Sequence, residues 1–160
     1  MGFLFKDFVS WKQYCLDNNK TLFEPVLEYE IDQKSRKEEQ IWEGLEKAYG
    51  VMRDAVETGL KDEMTSRSGM INNGAKKVYN NPISVLNPGF QKLIARALAA
   101  KEVNSCMGRV VAAPTAGASG ILPGALYSLQ ESHKLKDRHI HEGLLVGAGI
   151  ALIIEKNASL

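Results

Sequence analysis

Cysteine is scarce in this chain. Its two thiols, Cys15 and Cys106, lie too far apart in 160 residues for a CxxC pair or a disulfide framework, so both are predicted to be reduced. Charge of one sign is also missing: 20 Lys plus Arg oppose 19 Asp plus Glu, leaving a formal charge of +1. Without a strong global field, neither nucleic acid nor an anionic membrane is an expected partner. Long apolar runs are absent too. The longest uncharged one, Gly143 to Ile154, falls well short of the roughly 20 residues of a membrane span and reads as a buried helix. Residues 2 to 16 mix apolar groups with Lys6, Asp7 and Lys12 and offer no small-residue cleavage pattern, so they do not read as a secretory signal, and a cytoplasmic location is expected. His139 and His141 are two positions apart and diverge on a helix; with His133 they read as solvated helix-end residues rather than metal ligands.

What is present is helical patterning in an ordinary globular composition, and the expectation is one all-α domain over residues 1–160. Leu4, Phe8, Trp11 and Cys15 share one face of a first helix ending near Asn18 and Asn19. Thr21 with Glu24 resembles a capping box, and Leu22 to Ile31 reads as a short helix or, from its alternation, a strand. Ser35 with Glu38 predicts a second box opening a helix with Ile41, Leu45, Ala48, Met52 and Ala55 on its apolar face and Gly59 as its stop. A brief helix is expected over Ala75 to Tyr79. Asn87-Pro88 predicts the cap of a helix running to about Asn104, with Phe90, Leu93, Ile94, Ala97 and Leu98 buried. Two more helices are expected, from near Pro123 to Ser132 and from Arg138, capped by Asp137, through Ile154. Gly143, Gly147 and Gly149 in the last imply close approach by a neighbour.

Two loops are the candidate places for chemistry. Thr65 to Gly74 is too rich in small polar residues for a helix interior, and reads as a linker or a site. Residues 104 to 124 form a glycine-rich, hydroxyl-bearing segment leading into a helix. There, Gly117 and Gly120 would let a carboxylate or phosphate approach backbone N–H groups, and Thr115 and Ser119 would add hydroxyls. The residues alone leave open whether this is an anion site or a tight packing loop. Lys76 and Lys77 read as solvated, and Arg109 stands close enough in sequence to be a candidate for a carboxylate.

The run Ala113-Pro114-Thr115-Ala116-Gly117-Ala118-Ser119-Gly120 with Pro123-Gly124 closely resembles the signature segment of bacterial iron-sulfur L-serine dehydratases. Ser66 through Lys77, Glu102-Val103-Asn104 and Asn157-Ala158-Ser159 match the same family. Where members usually carry Gly-Gly-Asp-Ala, this sequence has Asn72-Asn73-Gly74-Ala75. The family's Asn-Ala-Ser leads into the first cluster cysteine, whereas this sequence stops at Leu160, so the expectation is an amino-terminal part of the alpha chain without the cluster ligands. The resemblance implies a lyase converting L-serine to pyruvate and ammonia with a [4Fe–4S] cluster as Lewis acid, working with a beta subunit or regulatory domain and possibly as a homo-oligomer. It implies Thr115, Gly117, Ser119 and Gly120 as substrate contacts, with Ser66, Ser68 and Gly69 as a facing wall. No catalytic base is identified and no metal ligand is assigned. A pyridoxal phosphate mechanism is disfavoured because no lysine sits in a Ser-x-Lys context joined to a phosphate-cradling glycine run. The competing expectation is a non-catalytic relative, serving as a small-molecule binding or helical oligomerisation module.

Overall fold

A computed structural model describes residues 5–113 and 115–158, without the side chain of Lys34. Among these residues there are seven α-helices and no strand: α1 (Phe8–Asp17), α2 (Glu24–Lys34), α3 (Glu38–Lys61), α4 (Gly74–Asn80), α5 (Pro88–Ser105), α6 (Ile121–His133) and α7 (Asp137–Asn157), with a 3-10 turn at Ala116–Ala118. The all-α expectation holds, and the strand alternative for Leu22 to Ile31 falls. The helices form two compact units, residues 1–46 with 137–160 and residues 47–136.

The first unit is built around aromatic residues. Trp11 and Cys15 are buried with Phe5, Val26, Leu27, Ile41, Leu145 and Ile153. Phe8, expected on the same face, is half exposed, and Leu4 lies outside the described residues. Asp7 begins α1 by accepting from the Ser10 N–H at 2.7 Å. Only half of the predicted box before α2 forms: Glu24 Oε2 accepts from the Thr21 N–H at 2.6 Å and from the Thr21 hydroxyl at 2.7 Å, but α2 begins at Glu24 and its cap residue, Phe23, makes no side-chain cap bond. The next one is displaced: Ser35 adopts a left-handed conformation at the end of α2, and Gln40 Oε1 accepts from the Lys37 N–H at 3.1 Å instead. Of the three glycines in α7, only Gly149 is demanded by packing. A Cβ there would lie 2.6 Å from Trp11 and 2.8 Å from Val26, whereas Gly143 and Gly147 have nothing within 4 Å.

In the second unit α5 packs against α4 and α6, and its neighbour α3 supplies Ala55 and Val56 to a core shared with Ala100 and Val103. Gly59 does not end α3, which continues to Lys61. Its missing side chain instead lets the helix reach α5, since a Cβ would sit 2.3 Å from the Ala99 carbonyl oxygen. The buried face of α5 also differs from the expected one. Phe90 and Leu98 are exposed, while Gln91, Ala95, Arg96, Ala99, Ala100, Glu102 and Val103 are buried. Small alanines permit close helix approach, and the buried polar groups bond neighbouring elements: Gln91 Nε2 donates to the Val78 and Asn81 carbonyls at 2.5 and 2.9 Å. Asn87 caps α5 as predicted, accepting from the Gly89 N–H at 2.8 Å.

Candidate functional site

The two loops singled out in the sequence are tied to one turn near the end of α5. In the loop before α4, Asn73 has a left-handed backbone and gives that helix no side-chain cap. Glu102 of α5 supplies the acceptor instead, with Oε1 receiving the Gly74 and Ala75 N–H groups at 2.8 and 3.2 Å. Gly74 must stay small for this, because a Cβ would meet Glu102 Oε1 at 2.9 Å. One residue earlier on α5, Lys101 Nζ donates to the Gly117 carbonyl at 3.0 Å; two residues later, Asn104 Nδ2 donates to the Ala116 carbonyl at 3.1 Å. All these bonds address backbone groups of the loops, so they fix loop position whatever the loop side chains do.

Within the first loop, Ser66 N–H donates to the Ile71 carbonyl at 3.1 Å and Asn73 N–H to the Met64 carbonyl at 3.0 Å. Ser66 Oγ accepts from the Ile71 N–H at 3.1 Å and lies 3.2 Å from Ser68 Oγ. Gly69 turns the chain with φ of 72°, a conformation that favours glycine. The structure therefore groups Ser66, Ser68 and Gly69 in one exposed turn whose polar contacts are internal. Glu63 anchors its base: Oε1 meets Lys76 Nζ at 2.9 Å and Oε2 accepts from Asn73 Nδ2 at 2.6 Å. Those contacts hold the Glu63 carboxyl below its ordinary value, with the Lys76 hydrogen bond as the largest cause. Lys76, read as merely solvated, is thus an ion-pair partner.

In the second loop, Thr115 is exposed and its Oγ1 accepts from the Ala118 N–H at 3.2 Å. Ala116 and Gly117 open the turn, where N–H groups have no acceptor inside the turn itself, and both are exposed. Ser119 is buried, its Oγ donating to the Ala116 carbonyl at 2.7 Å. Gly120 lies against α5, where a Cβ would be 2.2 Å from the Ala97 carbonyl oxygen. Gly117 and Thr115 thus offer accessible groups, while Ser119 and Gly120 shape the turn and seat it. Pro114 lies outside the described residues. Arg109 lines a cleft with Asp54 and Thr58 of α3.

The cysteines give no cluster site. Cys15 is buried, its Sγ donates to the Thr21 carbonyl at 3.5 Å, and burial pushes its thiol above the ordinary range, the opposite of what a thiolate ligand needs. Cys106 is half-buried at the end of α5. Among the described residues no three His, Cys, Asp or Glu side chains converge as metal ligands, so these residues do not fit an iron-sulfur cluster. No helix among them is long and apolar enough to cross a membrane.

The scaffold is all-α and carries two helix-anchored polar loops, and the profile of the serine dehydratase alpha chain family matches residues 17–160. The chain belongs to that family. It is 33% identical over 148 residues to the L-serine dehydratase alpha chain of Peptoniphilus asaccharolyticus, covering 91% of this chain and 51% of that one. It is 29% identical over 136 residues to the probable L-serine dehydratase alpha chain of Bacillus subtilis (83% and 44%), and 31% identical over 145 residues to the L-serine dehydratase of Streptomyces coelicolor (84% and 31%). The chain therefore spans about half, or less, of the length of these curated relatives. No solved structure matches it.

Proposed function

We propose that this chain supplies the substrate-binding loops of an L-serine dehydratase that eliminates water from L-serine and releases pyruvate and ammonia. The observation that carries the reading is the attachment of both polar loops to Lys101, Glu102 and Asn104 on one turn of α5. A small zwitterion has to be held in one orientation for its α proton and hydroxyl to be lost, and loops fixed through their backbones provide that rigidity. In this reading the Thr115–Gly120 turn takes the carboxylate, through the N–H groups of Ala116 and Gly117 and the Thr115 hydroxyl. Ser119 and Gly120 hold the turn in place. Ser66, Ser68 and Gly69 form a second wall.

The [4Fe–4S] cluster implied by the sequence resemblance has its ligands outside these 160 residues in our reading. A beta subunit or regulatory domain completes the enzyme. The test is anoxic treatment of the purified chain with iron and sulfide, followed by measurement of pyruvate and ammonia from L-serine, alone and assembled with the cluster-bearing remainder of the enzyme. The reading expects turnover only in the assembled enzyme, with equal amounts of the two products. A stable cluster and turnover in the isolated chain would overturn the placement of the ligands, and an assembled enzyme inert toward L-serine would overturn the activity.

A further inference from the structure

We propose that Glu102 is a positioning residue for the serine site, holding the Ser66–Gly74 loop in register with the Thr115–Gly120 turn through a hydrogen-bond acceptor rather than through its charge. This rests on the reading of the two loops as walls of one substrate site. Glu102 is 4% exposed, reaches across 28 positions of sequence, and spends Oε1 on two backbone N–H groups. Its Oε2 is buried and has no hydrogen-bond partner among the described residues. A buried carboxylate oxygen left in that condition is costly, so a residue in this place is explained by what its other oxygen does.

That oxygen holds the start of α4, a helix that brings no side-chain cap of its own. Its neighbours on the same turn, Lys101 and Asn104, hold the other loop. Of the two carboxylates bonded to the first loop, Glu63 is surface-exposed, with both oxygens engaged by Lys76 and Asn73. Among the described residues, Glu102 is the α5 side chain that bonds the end of this loop. Removing it releases the Gly74 and Ala75 N–H groups while the bonds of Lys101 and Asn104 to the second loop remain, which loosens the spacing between the walls and leaves each wall's own groups intact.

The test uses three variants: Glu102→Ala, Glu102→Gln, which keeps the acceptor and removes the charge, and Gly74→Ala, whose methyl displaces Oε1 from outside. Amide hydrogen exchange in the 160-residue chain reads the contact without substrate. Glu102→Ala and Gly74→Ala are expected to speed exchange at Gly74 and Ala75 about tenfold or more, with Glu102→Gln within about threefold of the parent. In the assembled enzyme, the first two are expected to raise the KM for L-serine about tenfold and Glu102→Gln to restore it. Unchanged exchange in Glu102→Ala would overturn the proposal. So would a Glu102→Gln enzyme with normal exchange but a KM as poor as that of Glu102→Ala, since the charge itself would then be engaged. Altered exchange in an enzyme whose parent ignores L-serine would refute the functional reading and leave the contact standing.

Discussion

Replacing Gly59 by alanine sets two effects of a single methyl group against each other. In a helix interior alanine is favoured over glycine by about 1 kcal/mol. At Gly59 the new Cβ would stand 2.3, 2.6 and 2.7 Å from the O, C and Cα atoms of Ala99, all backbone, so no side-chain rotation relieves the overlap and α3 or α5 must shift. Overpacking of this kind costs about 1–3 kcal/mol, and contacts this short belong at the upper end. The net loss is about 2 kcal/mol, a fall in Tm of roughly 4–8 °C for a chain of this size. Gly50→Ala is the matched control in the same helix: nothing lies within 4 Å of the added atom, so the gain is up to about 1 kcal/mol and Tm rises by about 2–4 °C. Thermal denaturation followed by far-UV circular dichroism reads both. A Gly59→Ala chain as stable as the Gly50→Ala chain would refute the close approach of α3 and α5.

Arg96 is almost wholly buried and donates to Ser128 Oγ at 3.0 Å and to Glu131 Oε2 at 2.7 Å, and this hydrogen bond holds the Glu131 carboxyl below its ordinary value of 4.5. Because the folded-state value is the lower one, the stabilisation is full above 4.5 and is lost as pH falls through the depressed value. Glu131 is 53% exposed, so solvent screening limits the contribution to about 1 kcal/mol. Glu131→Gln should therefore cost that amount near neutral pH and almost nothing in strong acid. A pH-independent difference in denaturant midpoints would count against the ion pair. A thiol reagent should label half-buried Cys106 in the native chain and reach buried Cys15 only as the chain unfolds. Equal native labelling rates would contradict the placement of Cys15.

The helices were legible in the sequence because caps and periodicity are local. Asn87 with Pro88 caps α5 where expected, and Thr21 with Glu24 forms half of the expected box before α2. Faces and partners were less legible. Hydrophobicity put Phe90 and Leu98 inside α5, whereas that helix buries Gln91, Arg96 and Glu102, whose polar ends bond groups far away in sequence. Gly59 looked like a helix stop because its use depends on a neighbouring backbone, and Ser35 looked like a cap because nothing local showed that it would end the preceding helix. The same limit applies at the candidate site. The two loops stood out by composition, but Glu102 was only part of a resembling triplet, and its bond to Gly74 emerges only once α4 is laid beside α5. The glycine-rich turn was ambiguous for a physical reason too: Gly120 seats it against Ala97 while Gly117 remains open.

The most direct test of the central claim is the KM for L-serine of the assembled enzyme carrying Thr115→Val, with Thr115→Ser as the conservative partner. Thr115 is exposed and its Oγ1 also accepts the Ala118 N–H at 3.2 Å, so serine at this position keeps both the turn and the hydroxyl offered to substrate. The account predicts a KM raised about tenfold in Thr115→Val and close to the parent in Thr115→Ser. An unchanged KM in Thr115→Val would contradict it.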